Sequence, residues 1–237
     1  ASARMGARTA CVTLDVSRIG HLPCNCSIGG PAKGHLAREV DALGGQMGLT
    51  TDFAMTHIRR VGTGRGPAVQ TARAHVCKQM YPKIMGQVLQ EQENLSVIQG
   101  TVTMLSQEKG KVTGAWVQTA EGEIYLQTKA IVVTTGTFLN GVCHQGKEKV
   151  RAARHGDPAV TDLASFLVSI GIRTRRFKTG TTPRIKFSSI DLSVTEEMPS
   201  EIEAAPFSFE NSEPLVEREL YPCWQTRTTP ETHKVIH

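Results

Sequence analysis

The stretch from Leu22 to Gly45, LPCNCSIGGPAKGHLAREVDALGG in one-letter code, constrains this chain more than any other. It sets Cys24 a few residues ahead of the Gly29-Gly30 pair, then Lys33, then an amphipathic helical pattern over Ala32 to Leu43. A thiol ahead of a helix N-terminus feels partial positive charge, which favours the thiolate. Leu36, Val40 and Leu43 share one helical face while Lys33, Arg38 and Asp41 lie elsewhere, so core packing accounts for the apolar stripe. Gly44-Gly45 then ends the helix. On these residues alone Cys24 is either a reactive thiol beside a phosphate-bearing cofactor or a small buried hydrophobe.

Around this stretch the chain alternates in the α/β manner. Ala1 to Met5 reads as the last turn of a helix capped by Gly6, and Thr9 to Leu14 as a short buried strand. Gly62-Thr63-Gly64-Arg65-Gly66-Pro67 leads into a helical pattern from Ala68 to Gln92, with Pro67 suited to the first helical position and Pro82 expected to kink or break the helix. The glycine spacing there is not G-x-G-x-x-G. The loop reads as an anion site of free helix N–H groups plus Arg65, or as an ordinary flexible loop, and both readings stay open. From Leu95 the period becomes two. Ser96–Ser106, Lys111–Thr119 and Glu123–Leu126 read as an antiparallel meander with turns at Lys109-Gly110 and Glu121-Gly122. Ala130–Thr134 reads as a continuous buried strand running into Thr135-Gly136-Thr137, an order found in two-dinucleotide-binding flavoproteins.

After Gly141 the character shifts, and a domain transition is placed there. His144–Asp157 reads as a polar, basic loop, Thr161–Ile170 as a short helix ended by Gly171, and Ile172–Phe177 as a strand. Lys178 to Arg184 forms a turn, Ser188–Leu220 is acidic and irregular, and Tyr221-Pro222-Cys223-Trp224 begins another extended piece.

The 237 residues suffice for one large domain or a domain with an insertion. Apolar residues make up 39%, and no run reaches the roughly 20 needed to cross a bilayer, so no membrane role is expected. The net charge of +5 permits a polyanionic partner without demanding one. The six cysteines have no regular spacing, which argues against a disulfide scaffold and for a reducing compartment. Cys24-x-Cys26 lacks a second pair at zinc-ligand spacing, so no metal is expected. Both ends read as cut, and the chain is taken as a fragment.

The chain resembles the glucose-inhibited division protein A family, also called MnmG. The resemblance is carried by Cys24-Asn25 with Ile28-Gly29-Gly30, Lys33-Gly34-His35-Leu36 with Glu39, and Asp41-Ala42-Leu43-Gly44-Gly45. It continues through Gly66-Pro67-Ala68-Val69 with Arg73, Thr135-Gly136-Thr137-Phe138-Leu139 with Gly141, and Arg154 with Gly156-Asp157-Pro158. Lys178-Thr179-Gly180-Thr181 with Pro183-Arg184, Pro206-Phe207-Ser208-Phe209 and Pro222-Cys223 complete it, in order over nearly the whole chain.

The resemblance implies a glutathione-reductase-like, Rossmann-type FAD domain holding the β-meander, with part of an inserted NADH-handling domain, divided as 1–141 and 142–237. It implies an FAD enzyme acting with an MnmE-type GTPase to add an aminomethyl or carboxymethylaminomethyl group to carbon 5 of the tRNA wobble uridine. NADH supplies reducing equivalents and methylene-tetrahydrofolate the one-carbon unit. A homodimer and a bacterial cytoplasmic setting, or a mitochondrial one, go with it. Cys24 and Cys223 fall at the family's two functional cysteines. Carbon 5 of uracil is a poor nucleophile until something adds to carbon 6, and a thiolate suits that addition. Val102 matches a position whose backbone contacts FAD, and Val160 stands where a serine helps hold it. Gly29, Gly30, Thr135, Gly136 and Thr137 are expected near the isoalloxazine and ribityl parts by close backbone approach. Arg65, Arg154, Lys178 and Arg184 are candidate phosphate or tRNA-backbone contacts, with surface solvation as the competing reading.

Departures accompany the match. The G-x-G-x-x-G phosphate loop is absent from the sequence. The Arg-Ala-Gln-x-Asp element reads Arg73-Ala74-His75-Val76-Cys77, the Gly-Gly before Arg154 is Ala152-Ala153, the threonine-histidine-threonine after the second cysteine is Thr226-Arg227-Thr228, and Cys26 replaces a proline. The loop before Gly66 lacks the family's Asn-Ser-type residues. The chain by itself is expected to bind FAD weakly or not at all and to turn nothing over. Another FAD oxidoreductase on the same scaffold and a degenerate, non-catalytic FAD- or RNA-binding relic are the rival readings.

Overall fold

In the computed structural model the elements run β1 (Thr9–Thr13), β2 (Ser27–Gly29), α1 (Lys33–Ala42), α2 (Gln46–Ala54), β3 (Met55–Val61), β4 (Thr71–Val76), α3 (Met80–Glu91), β5 (Leu95–Gln99) and β6 (Thr101–Glu108). They continue with β7 (Lys111–Thr119), β8 (Gly122–Gln127), β9 (Cys143–Gln145), β10 (Glu148–Val150), α4 (Asp162–Ser169), β11 (Glu196–Met198), β12 (Cys223–Gln225) and α5 (Pro230–Ile236). The structure describes residues 1–154, 156–201, 203, 205–211 and 219–236, so positions 212–218 of the expected acidic segment lie outside the described residues. The mixed helix and strand content with an antiparallel meander is the α/β class expected. Contacts divide the chain into two units: Ala1–Ala1, Gly20–Val88 and Gly180–His237, and Ser2–Ile19 with Leu89–Thr179. Gly141 lies inside the second.

The first unit is built on the antiparallel sheet β2-β4-β3. Its middle strand, β4, occupies residues expected to be helical from Ala68 onward. Ala and Arg favour helix locally, but Thr71, Ala74 and Val76 are buried between two partner strands, and ladder pairing overrides the propensity. The helix begins only at Met80. Pro82 therefore falls in its first turn, where no intrahelical N–H is required, and neither kinks nor breaks it.

Helix α1 reverses the expected burial. Leu36, Val40 and Leu43 are 61%, 53% and 84% exposed, whereas Gly34, Ala37 and Asp41 face the core. The cause is close approach: a Cβ on Gly34 would meet the Thr71 side chain and lie 3.0 Å from the Ala72 carbonyl. Only small residues let α1 lie so near β4.

The segment after residue 205 is fastened to this unit by two buried carboxylates. Asp52 accepts the N–H groups of Phe207 (2.7 Å) and Ser208 (2.9 Å) and the Asn211 amide (2.7 Å). Asp41 accepts the Ser208 hydroxyl (3.1 Å) and the Phe209 N–H (2.7 Å). Phe207 is thereby driven fully into the core with Ile28, Ile58 and Val76. Arg38 donates to the Pro206 and Phe207 carbonyls and stacks 4.0 Å over the Phe209 ring. Burial, with Asp41 adding to it, pushes the Asp52 carboxyl above its ordinary range against the opposing hydrogen bonds.

In the second unit β1 pairs with β5 in parallel. It is half-exposed rather than buried, and Ser2–Gly6 forms tight turns rather than a helix end, although Gly6 does adopt positive φ. The expected strand Ser96–Ser106 is two strands. At Gly100 the chain passes from β1 to β7, and a Cβ there would lie 2.7 Å from the Gln118 carbonyl. The β6-β7-β8 meander turns at Lys109-Gly110, both with positive φ as a two-residue hairpin requires, and at Ala120-Glu121, one residue earlier than expected. Helix α4 packs Leu163 and Leu167 on Leu105 and Ala115, and Gly171 follows it with φ +89° as expected. His144–Asp157 is no plain loop: it contains the β9-β10 hairpin. Ala130–Thr134 and Ile172–Phe177 form no strand and are largely exposed, with Val132 82% accessible; no strand pairs with them among the described residues.

Replacing Asp52 by alanine leaves two buried N–H groups facing no acceptor. Urea unfolding followed by far-UV circular dichroism is expected to show a loss of roughly 2–4 kcal/mol. A change below about 0.5 kcal/mol, the size of an ordinary surface substitution, contradicts the anchoring role.

Candidate functional site

Cys24 lies in the loop entering β2. Strand β2 separates it from α1, and the contacts of its sulfur and carbonyl come from the turn Lys178–Arg184 rather than from a helix end. The Thr181 hydroxyl donates to Cys24 Sγ at 3.6 Å. Arg184 Nη2 donates to the carbonyls of Pro23 (3.1 Å) and Cys24 (2.6 Å). Two residues of the K-T-G-T-x-P-R segment, over 150 positions away in sequence, thus hold the loop that carries the thiol.

Cys223 opens β12, which pairs with β11. Its sulfur lies 3.5 Å from His75 Nδ1. His75 sits on β4 opposite Ser27 of β2 and His57 of β3, and the two imidazole rings are 5.2 Å apart. His57 is buried, and its Nδ1–H donates to the Tyr221 carbonyl at 2.8 Å, fixing the chain two residues before Cys223. On the other side the Val76 N–H donates to the Cys26 carbonyl at 2.9 Å. One end of the β2-β4-β3 sheet therefore gathers the Cys24–Cys26 loop and Cys223. All six cysteines are free thiols, including the neighbours Cys24 and Cys26.

The electrostatics of this end keep His75 uncharged. Desolvation, then the His57 and Arg73 charges, lower its pKa to about 4. Burial, then Cys26, push the Cys223 thiol up, and Arg73 and Arg59 only partly oppose them.

The cofactor candidates are distributed over both units. Gly29 and Gly30 belong to the first, with φ of +93° and +83°. The open face of Gly29 is filled by the Phe207 ring, 2.8 Å from a notional Cβ, and by the Ala72 carbonyl. Gly30 faces only Arg73 Cδ, at 3.7 Å. Val102, Val160 and the turn Thr135-Gly136-Thr137 belong to the second unit. The Val102 and Val160 side chains pack on the Leu105–Leu163 core, and the Val160 N–H already donates to the Phe138 carbonyl while its own carbonyl accepts from Asn140, both at 2.8 Å. Gly136 has φ +56° with nothing within 4 Å of a notional Cβ. Space for a close backbone approach is open at Gly30 in the first unit and, separately, at Gly136 in the second; the Gly29 side of the pair serves Phe207 instead.

The basic candidates separate similarly. Arg184 is engaged at Cys24. Arg154 bonds Asp157 at 2.7 Å, stacks 4.7 Å over Phe138, and shares Asp157 with Arg18. Arg65 and Lys178 are exposed. The loop at Arg65 does not enter an α-helix: short 3-10 turns lead into β4, so the expected row of free helix N–H groups is absent there. Lys33 and Arg73, which sequence reading left out, both bond Ser27, at 3.2 and 3.1 Å. His75 and His57 were also missed, since each is a lone histidine until β3 and β4 pair. Among the described residues no cluster suits a metal ion, and no helix is long and apolar enough to cross a membrane.

The family model described as glucose inhibited division protein A matches residues 1–237. A tRNA uridine 5-carboxymethylaminomethyl modification enzyme MnmG of Geobacillus thermodenitrificans is 42% identical over 236 residues, covering 100% of this chain and 37% of the relative. The protein of the same name from Heliobacterium modesticaldum is 44% identical, with 36% of it covered. The structure of Aquifex aeolicus GidA superposes with a TM-score of 0.88 at 39% identity, covering 99% of this chain and 39% of that one. The chain thus spans well under half the length of these relatives.

The His75 environment sets a pH dependence. Its folded pKa of about 4 lies below the ordinary 6.5, so the unfolded chain takes up the proton first as pH falls. The stability contributed by the neutral imidazole is complete above pH 6.5 and is lost between 6.5 and about 4. His75→Gln is therefore expected to lose less stability than the unaltered chain between pH 7 and about 4.5 in urea titrations; equal losses contradict the assignment.

Proposed function

This chain belongs to the glucose-inhibited division protein A family, and from that membership we propose that it forms the thiol-bearing part of an FAD-dependent enzyme modifying carbon 5 of the tRNA wobble uridine. The observation that carries the reading is the gathering of the Cys24 loop and Cys223 at one end of the β2-β4-β3 sheet, with the K-T-G-T turn clamped on Cys24.

Two thiols suit the chemistry. Addition of one thiolate to carbon 6 of the uracil moves the C5=C6 electrons onto carbon 5 and its adjoining carbonyl. Carbon 5 then attacks the one-carbon unit as an iminium, whose C=N π pair passes to the carrier nitrogen; carbon 5 gives up its proton, and departure of the thiolate restores the double bond. The other thiol donates or receives a proton near the ring. Thr181 and Arg184 hold the Cys24 loop in place for this, and His75 and His57 do so for Cys223. FAD, when bound, supplies the redox chemistry that this sequence of thiol steps lacks. Within the first unit Gly30 is the candidate for backbone approach to it, and within the second unit Thr135-Gly136-Thr137. NADH as reductant, methylene-tetrahydrofolate as carbon donor, an MnmE-type GTPase partner, a homodimer and a cytoplasmic setting belong to the same proposal. The exposed cations Arg65 and Lys178 are the contacts offered to tRNA phosphates, whereas Arg154 and Arg184 already serve the protein's own backbone and carboxylates.

The test is a chimera: the Geobacillus thermodenitrificans relative with its matching 236-residue segment replaced by this chain. The purified chimera is expected to be yellow with flavin absorbance and to restore wobble-uridine modification, read by nucleoside mass spectrometry, in cells lacking their own enzyme. Cys24→Ser and Cys223→Ser are each expected to lower modification by about 100-fold or more. A folded but colourless and inactive chimera, or full modification by either serine variant, overturns the reading.

A further inference from the structure

The two thiols have opposite surroundings. Cys24 Sγ receives a hydrogen bond from the Thr181 hydroxyl, and the Arg184 guanidinium sits on its carbonyl. A donor aimed at sulfur supports the electron density of an attacking or departing thiolate. Cys223 Sγ instead meets a histidine nitrogen at 3.5 Å. The charged and titratable groups facing this contact are His57 and Arg59 from β3, Arg73 from β4, and Cys26 from the loop before β2. A second positive charge on His75 would be raised beside Arg73 and beside a buried ring 5.2 Å away. An imidazole kept neutral cannot take the thiol proton outright, but its lone pair can accept the S–H hydrogen bond. Hydrogen bonding to the protonated form holds the proton where it is.

We propose that His75 is a positioning residue for Cys223: its neutral imidazole accepts the S–H hydrogen bond at Nδ1 and keeps the proton on sulfur, so that Cys223 is the proton-carrying thiol and Cys24 the one that attacks carbon 6. This rests on the two-thiol reading above and divides its roles. Nothing in the Arg73–Cys77 stretch of sequence signals it, because a histidine stands where the resembled element has glutamine. The glutamine comparison is informative in itself, since an amide oxygen accepts the same proton without titrating.

The proposal is tested on this chain by alkylation with iodoacetamide across pH 6 to 10, scoring the Cys24 and Cys223 peptides separately by mass spectrometry. Cys223 is expected to react more slowly than Cys24 at about pH 8, with a midpoint above the ordinary thiol value of about 8.5. His75→Ala is expected to lower the Cys223 midpoint by about one pH unit, raising its rate near pH 8 about tenfold. His75→Gln is expected to keep the slow rate and the high midpoint. The Cys24 rate, unchanged in both variants, reports that the sheet is intact. A Cys223 midpoint that does not move in His75→Ala, or that moves equally in His75→Gln, overturns the proposal, because simple packing alters access without this pattern. The failure of the two-thiol reading is separately visible: full tRNA modification by the Cys223→Ser chimera removes Cys223 from the chemistry and leaves the alkylation midpoints as they are.

Discussion

Two carboxylates buried beneath α1 and α2 hold the site-bearing unit together. Asp41 and Asp52 stand on successive helices, and between them they accept three backbone N–H groups and two side-chain donors of the segment Phe207–Asn211. A carboxylate taken out of water is costly unless its lone pairs are filled. Both oxygens of Asp52 and Oδ2 of Asp41 are filled by one turn of chain that starts some 150 residues later, while Asp41 Oδ1 is buried without a partner, so that turn has one place to go. Its docking inserts Phe207 against Gly29 and the sheet, returning the second half of the unit to the first. The residues from Gly180 onward, which supply Thr181, Arg184 and Cys223, belong to this same unit.

With that segment in place, two sulfurs lie in surroundings of different polarity. Cys24 is approached by a hydroxyl donor and a guanidinium-bound carbonyl, Cys223 by an uncharged imidazole among groups that resist its protonation. The reaction proposed above, which adds a thiolate to a pyrimidine and then releases it, needs both an electron-rich sulfur and a proton reserve. The β2-β4-β3 sheet is the scaffold for both, because β4 runs between β2, which follows the Cys24 loop, and β3, which carries His57.

Signals that depend on a residue and its immediate neighbours were legible. Lys109-Gly110 forms the expected two-residue turn because both residues tolerate positive φ, and Gly171 follows α4 for the same reason. The K-T-G-T turn and the cysteine positions were visible through the family resemblance, which extends over the whole chain. What failed were inferences about faces and partners. The Leu36-Val40-Leu43 stripe looked like the buried face of α1, but the helix turns Gly34, Ala37 and Asp41 inward instead, and at Gly34 strand β4 comes too close for a Cβ. Ala72-Arg73-Ala74 looked helical, but Arg73 and Ala74 pair with β2 on one side and β3 on the other. α2 carried no apolar period to find: it buries Thr50, Thr51 and Asp52, whose polar groups are satisfied within the helix and by the returning segment.

The sequence by itself determined the α/β class, the hairpin turn at Lys109-Gly110, the helix stop at Gly171 and the family, because turn chemistry and motif order are written in adjacent residues. Only the tertiary structure decided which face of α1 is core, that β4 is a strand, and that His75 touches Cys223 while Thr181 touches Cys24. The first two outcomes depend on α1 meeting Thr71 and on β4 pairing with β2 and β3, and the last two on contacts 148 and 157 positions apart, brought into one unit with the segment that Phe207, Asp41 and Asp52 fasten. No local propensity encodes such pairings; they form only when segments distant in sequence close on one another.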